Sequence, residues 1–166
     1  MKVSAQEEYG LRCLMQMARS GAGKSVSISE ISRAEGLSAP NVAKLMRILR
    51  LGGLVRSVRG QAGGYTLARP AEAIMLDEVL AVLGDPLFGP DFCQQHIGTG
   101  KECAHNGGCS MRPVWKQLQR LVNEVLARTS LQDMLRSEEA MAEWVSSAPC
   151  REGAQSRNAL AGMTSH

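Results

Sequence analysis

The stretch SISEISRAEGLSAPNVAKLMRILRL, residues 27–51, has the pattern of two short helices joined by a tight turn. A helix-turn-helix needs glycine in its turn, a small residue where the first helix faces the second, and apolar residues that fix the crossing. Gly36 and Ser32 meet the first two needs. The apolar positions are Ile31, Leu37, Val42 and Leu45. The stretch therefore predicts a helix-turn-helix.

Capping residues mark the ends of both helices. Ser27 or Ser29 can cap the first helix, and Glu30 follows Ser27 at the spacing of a capping box. Ser38 can cap the second helix, which has Pro40 in its first turn, where a missing N–H is harmless. A double glycine then ends that helix.

The flanking sequence supplies the rest of a small module. Residues 8–19 place apolar side chains at helical spacing and predict a preceding helix. In LVRSVRGQAGGYTLARP, residues 54–70, two short β-prone segments surround a glycine-rich turn and predict a hairpin. Residues 74–83 return to helical periodicity. We therefore predict that residues 1–85 form a winged helix-turn-helix domain, with the hairpin as its wing.

The second half of the chain is organised differently. Residues 86–113 have no period and contain three cysteines, which predicts an irregular loop. Residues 114–136 carry an apolar stripe that a four-helix module could not cover, which predicts a long dimerisation helix. Residues 137–166 are a C-terminal extension that we expect to be disordered after about residue 147. The predicted fold is mainly α with a small β-hairpin wing.

Charge is distributed unevenly between the two halves. Residues 1–70 hold eleven Lys and Arg against four Asp and Glu, and residues 71–166 hold eight against twelve. No acidic residue occurs between Glu35 and Glu72, a window with six basic residues. This window predicts a surface for a polyanion, and the helix-turn-helix makes double-stranded DNA the expected partner.

The candidate DNA-binding residues lie on the second helix of the motif and on the wing. Arg and Lys suit guanine acceptors, Asn suits adenine, and all of them can also contact phosphate. Arg59 at the hairpin turn can enter a minor groove or bind phosphate. The full candidate set is Ser38, Asn41, Lys44, Arg47, Arg56, Arg59 and Gln61.

Composition excludes several classes of protein. The 166 residues suit one compact domain with an appendage, and the longest apolar run is far shorter than the roughly 18 residues of a membrane span. The N-terminus has two carboxylates where an export signal would be basic and apolar, so we expect a cytoplasmic protein without membrane association. The sequence has no glycine-rich phosphate-binding loop and no catalytic nucleophile at an informative spacing from a general base. Nothing in it therefore suggests an enzyme.

Five cysteines in a reducing compartment are better interpreted as metal ligands or reactive thiols than as disulfides. Cys93, Cys103 and Cys109 follow the pattern C-x9-C-x5-C, and clustered thiolates bind soft metals such as those of an iron-sulfur cluster. A fourth ligand must come from elsewhere. The candidates are His96, His105, Glu7 and Glu8, whereas Cys13 and Cys150 receive no ligand role.

Taken together, residues 1–136 resemble the iron-sulfur-dependent winged-helix regulators of the IscR, NsrR and RirA type. The resemblance rests on MKVSAQEEYGLRCLMQMA at the N-terminus, on LSAPNVAKLMRILRLGGLVRSVRGQAGGYTLARP, on IMLDEVL and on the cysteine placement. It implies a cluster held by Cys93, Cys103 and Cys109, with Glu8 of the other subunit as the first choice for the fourth ligand and His105 as the second. The first cysteine gap has nine residues here, against about five in well-known members, and such lengthening is usually tolerated.

The resemblance also implies a function. We expect a homodimeric transcription regulator whose affinity for its operator is set by a 2Fe-2S or 4Fe-4S cluster that senses redox, nitric oxide or iron status. The alternative is a cluster-free winged-helix regulator that senses through thiols, zinc or a protein partner. A colourless protein after purification without air would favour that alternative.

Overall fold

A computed structural model describes residues 3–60, 63–89, 92–103, 105 and 108–147. It confirms the predicted class, because seven helices accompany one two-stranded antiparallel hairpin in this part of the chain. The helices are α1 (Ala5–Arg19), α2 (Ile28–Glu35), α3 (Ala39–Leu51), α4 (Leu76–Leu83), α5 (Phe92–Gln95), α6 (Met111–Leu126) and α7 (Glu138–Ser147). The strands are β1 (Val55–Val58) and β2 (Gly64–Leu67).

Serine caps start the first two helices. The Ser27 side chain accepts the amide of Glu30, whose carboxylate accepts the amide of Ser27, so Ser27 rather than Ser29 caps α2. An identical box between Ser4 and Glu7 starts α1 at Ala5, three residues before the predicted start. The apolar stripe alone does not reveal that first turn, because its residues are mostly polar.

The core of the winged helix lies where α1, α3 and α4 meet the base of the hairpin. One cluster of buried side chains joins all four elements, with Leu14, Leu45, Val55 and Val79 among its members. Such burial is the main stabilising term for a module of this size. The opposite sides of α3 and of the hairpin face solvent.

The hairpin is anchored by a third extended segment. β1 pairs with β2 in a register that sets Val55 opposite Leu67. On the other side of β2, the amides of Val26 and Tyr65 donate to each other's carbonyl oxygens at 2.8 and 2.9 Å. A Cβ on Gly64 would lie 2.5 Å from the carbonyl oxygen of Val26, so this close approach requires glycine.

The long helix is shorter than its apolar stripe predicts. α6 ends at Leu126, whereas the stripe continues to Leu135. The chain then returns to the winged helix, where the amide of Leu76 donates to Thr129 at 2.9 Å and the amide of Leu131 donates to Ile74 at 2.8 Å. We call residues 129–132 the C-terminal latch.

Leu131 of the latch is completely buried in the core of the winged helix. It therefore contributes to the fold of the N-terminal module, although it was predicted to belong to the dimerisation helix. The latch also explains why α4 begins at Leu76 rather than at residue 74. Met75 is extended because it forms an antiparallel bridge with Ser130.

Beyond the latch, α7 forms a further helix. The guanidinium of Arg128 lies 5.7 Å from the ring centre of Trp144 in α7, a cation-π contact. The tail predicted to be disordered after about residue 147 lies outside the described residues. Within the described part of the chain, no helix has the length and apolar character needed to cross a bilayer.

Candidate nucleic-acid interface and cysteine loop

The turn between α2 and α3 is fixed by hydrogen bonds. The hydroxyl of Ser32 donates to the carbonyl oxygen of Leu37 at 2.5 Å, and the amide of Leu37 donates to the carbonyl oxygen of Ser32 at 3.1 Å. Gly36 between them has φ +65°, in the left-handed region that favours glycine. The small residue and the glycine of the motif therefore fix how α3 leaves α2.

The α3 helix has one face in the core and one toward solvent. Val42 and Leu45 are buried, as the spacing predicts. Lys44 and Arg47 are exposed and Asn41 is half-buried. Exposed Ser38 stands at the N-cap of α3 without a side-chain capping bond. These side chains line the surface that a recognition helix presents to a major groove.

The wing carries the remaining basic candidates. Arg56 is exposed on β1, and Arg59 is exposed just after that strand. Gly60 follows with φ +111°, so glycine is required for the turn. Gln61, the last candidate, lies outside the described residues.

Two further arginines lie beside this surface and were not among the predicted site residues. Arg50, Arg56 and Arg69 line a shallow cavity of about 500 Å³ between α3 and the wing. Arg69 forms an ion pair with Glu78, in which Nη2 of Arg69 lies 2.5 Å from Oε1 of Glu78. Arg50 and Arg69 both belong to the acid-free window of the sequence, but only the folded chain places them next to Arg56.

We expect Arg59→Ala and Lys44→Ala each to weaken DNA binding about tenfold, because each removes an exposed cation at the proposed interface. If Arg59 contacts phosphate, its loss should weaken binding to all DNA sequences alike. It should also reduce the slope of log affinity against log salt concentration by about one. Titration of a labelled duplex at several salt concentrations measures both effects. Arg120→Ala, on the exposed surface of α6, is the matched control. Unchanged affinity in both variants at physiological salt would exclude this surface.

The three loop cysteines are chemically available. Cys93 lies in α5, Cys109 lies two residues before α6, and Cys103 lies between them. All three are half-buried and free of disulfides. Three thiols of this kind fit the donor set of an iron-sulfur site. Among the described residues, however, no three Cys, His, Asp or Glu side chains are grouped closely enough to hold a metal ion.

The structure separates the two carboxylates near the N-terminus. Glu7 is 9% exposed, and its carboxylate accepts the amide of Ser4 at 2.7 Å. Glu8, the next residue of α1, is exposed, and His105 is exposed in the loop. Glu7 therefore has a structural role, and Glu8 and His105 are the accessible candidates for a fourth ligand.

Cys13 has the opposite character to the loop cysteines. It is completely buried in the core beside Leu14. Burial raises the pKa of the Cys13 thiol to about 11. The thiol therefore stays protonated at neutral pH and is unsuited to ligate a metal. Cys150 lies outside the described residues.

The two faces of α6 have different surroundings. One face lies against α4 and the loop through Trp115, Gln119, Val122 and Leu126. The other face is apolar and open, with Met111 at 50%, Val114 at 52% and Leu118 at 38% exposure. Leu121 and Val125 continue it at alternating spacings of three and four, as in a helix that packs against another helix.

Comparison with known proteins identifies relatives of this arrangement. Residues 3–137 match the family model of Rrf2, described as an iron-dependent transcriptional regulator. The transcriptional regulator IscR of Cereibacter sphaeroides is 31% identical over 143 residues, 83% of this chain and 89% of that protein.

Two solved structures share the fold. One is that of CymR, described as the global cysteine regulator of B. subtilis, with a TM-score of 0.67 and 28% identity over 81% of this chain and 95% of that one. The other is T. potens IscR, with a TM-score of 0.65 and 33% identity over 84% of this chain and 90% of that one. These relatives are regulators of transcription and not enzymes.

Proposed function

Because the chain belongs to the Rrf2 family of DNA-binding transcription regulators, we propose that it acts as a homodimer whose affinity for its operator is set by an iron-sulfur cluster. The observation that carries this proposal is the set of three free, half-buried thiols in the one loop that precedes α6. As a regulator that binds chromosomal DNA, it would act in the cytoplasm.

Cys93, Cys103 and Cys109 would hold the cluster, with Glu8 of the partner subunit as the fourth ligand. A bound cluster would supply a group that redox change, nitric oxide or iron supply can alter. The described loop holds no preformed group of ligands, so binding would draw the three thiols together, as metal binding often orders a loop. His105 remains the second choice for the fourth ligand.

The chain itself offers a route from the loop to DNA. Cys109 adjoins α6, the C-terminal latch follows α6, and Leu131 of the latch lies in the core that supports α3. A ligand from α1 of the partner would join the loop of one subunit to the winged helix of the other. Loss of that link would shift the angle between the two α3 helices and so change operator affinity.

The open face of α6 supports the homodimer. Met111, Val114 and Leu118 are exposed large apolar side chains, and two-fold packing of α6 would cover them in both subunits. The same symmetry would present two recognition helices and two wings to a palindromic operator.

We expect Leu118→Asp to weaken dimerisation at least about a hundredfold, which corresponds to about 2.7 kcal/mol. Two-fold symmetry would bring two unpaired carboxylates into one apolar interface, where burial is costly. Analytical ultracentrifugation over a range of concentrations measures the loss. Gln117→Asp, on the neighbouring exposed position, should dimerise like the parent. A Leu118→Asp protein that dimerises as tightly as the parent would place the interface elsewhere.

The similarity to CymR favours a second candidate function. That relative is described as a cysteine regulator. In the second candidate function, this chain regulates transcription without a cluster and senses through thiols, zinc or a protein partner. The same half-buried thiols would then react or bind zinc directly.

Anaerobic purification followed by absorption and Mössbauer spectroscopy tests the two functions against each other. A coloured protein with an iron-sulfur signal supports the cluster, and the Mössbauer parameters distinguish 2Fe-2S from 4Fe-4S. A protein that binds DNA but stays colourless after reconstitution with iron and sulfide would exclude the cluster. It would support the second candidate function instead.

A further inference from the structure

The segment that carries Cys93 is held against α6 by aromatic rings. Phe88 stacks parallel to Trp115, with ring centres 5.2 Å apart and planes 5° apart. Phe92 meets both rings edge-on, at 5.3 Å from Phe88 and 6.2 Å from Trp115. We call Phe88, Phe92 and Trp115 the ring cluster.

Hydrogen bonds reinforce this attachment. The amide of Phe88 donates to Oε1 of Gln119 on α6 at 2.8 Å. His96 stacks on Phe92 with ring centres 4.4 Å apart, and its Nδ1 lies 2.7 Å from the carbonyl oxygen of Phe92. α5 has no buried residue of its own. The contacts of Phe88 and Phe92 with Trp115 and the hydrogen bond from Phe88 to Gln119 therefore hold this segment against α6.

Cys93 directly follows Phe92, and it lines the same cavity of about 590 Å³ as Trp115. Cys109 is joined to α6 through the chain, because it stands two residues before Met111. The ring cluster thus attaches the first thiol to the first two turns of the helix that the third thiol precedes.

We propose that Trp115 is a positioning residue for Cys93, and that the ring cluster keeps this thiol at α6 despite the nine-residue gap that follows it. The proposal rests on the proposed function for its cluster readout, but not for its readout on the cluster-free protein. A longer gap gives the chain between Cys93 and Cys103 more freedom. Attachment of Cys93 to α6 removes that freedom from the first thiol.

Thiol labelling of the cluster-free protein tests the proposal. Iodoacetamide is added to the reduced protein, and peptide mass spectrometry follows alkylation of Cys93 relative to Cys103 in the same sample. We expect Trp115→Ala to raise this ratio about tenfold, because release of the segment exposes a half-buried thiol. Trp115→Phe keeps a ring in place and should restore a ratio near that of the parent. Trp144→Ala, which removes the other tryptophan, should leave the ratio unchanged.

A second pair of variants guards against misfolding of Trp115→Ala. Gln119→Ala removes the acceptor for the amide of Phe88, whereas Gln119→Glu keeps an oxygen there. The alanine variant should raise the labelling ratio and the glutamate variant should not. Equal ratios in the parent, in Trp115→Ala and in Gln119→Ala would overturn the proposal.

In cluster-loaded protein, Trp115→Ala should lose iron to a chelator about tenfold faster than the parent or Trp115→Phe. Tryptophan emission adds a spectroscopic readout, because Trp144→Phe leaves Trp115 as the sole tryptophan. In Trp115→Phe the remaining tryptophan is Trp144. Cluster loading should quench the emission of Trp115 more strongly than the emission of Trp144. A parent protein without any cluster would refute the proposed function, and the labelling ratios would still decide the role of Trp115.

Discussion

We expect Cys93→Ala, Cys103→Ala and Cys109→Ala each to yield protein without a stable cluster, whereas Glu8→Ala should keep a labile cluster with a shifted absorption spectrum. Thiolates bind iron more strongly than a carboxylate, so removal of one of three thiolates costs the site more than removal of the single oxygen ligand. Iron and sulfide content after anaerobic purification measures the first effect.

Loss of iron to a chelator measures the second effect, and for Glu8→Ala we expect it to be about tenfold faster than in the parent, equivalent to about 1.4 kcal/mol. Cys13→Ala is the matched control for the cysteine series, because its thiol is completely buried in the core of the winged helix. Should Glu8→Ala leave spectrum and reactivity unchanged while His105→Ala alters both, the fourth ligand lies within the loop. The bridge between subunits would then lose its main support.

We expect Leu131→Ala to lower the free energy of unfolding by about 2–5 kcal/mol, the range for a fully buried leucine replaced by alanine. The side chain is 0% exposed in the core of the winged helix. Chemical denaturation at one fixed protein concentration measures the loss, because dimerisation makes stability depend on concentration.

Leu51→Ala is the matched control for that experiment. Leu51 is 69% exposed at the end of α3, so its truncation should change stability by less than about 0.5 kcal/mol. Hydrogen exchange adds a local readout, since the amides of Leu76 and Leu131 donate across the latch and should lose protection in Leu131→Ala. Equal stability of the two variants would show that the latch contributes nothing to the core.

The helix-turn-helix was predictable because its determinants are local. Gly36 must adopt a left-handed conformation, Ser27 and Glu30 form a box within one turn, and Val42 and Leu45 share a helical face. Each of these rules depends on residues a few positions apart. The sequence therefore predicts the elements of the motif and the exposure of Lys44 and Arg47, and the structure confirms both.

The errors came from contacts between distant residues. The helical period continues through Leu131, yet the chain leaves the helix at Leu126, and Leu131 enters a core whose other members lie between Cys13 and Leu83. The bridge of Val26 to Tyr65 and the stacking of Phe88 on Trp115 are similarly non-local. No periodicity encodes such pairs, and the irregular cysteine loop has no period at all.

The core of the winged helix is completed late in the synthesis of the chain, because Leu131 follows all the other core residues in sequence. As the chain leaves the ribosome, α3 and the wing emerge long before residue 131, and until then their core lacks the side chain that completes it. We therefore expect a nascent or truncated chain that ends within α6 to have a less stable winged helix. The winged helix therefore reaches its full stability only after the cysteine loop and α6 have been synthesised.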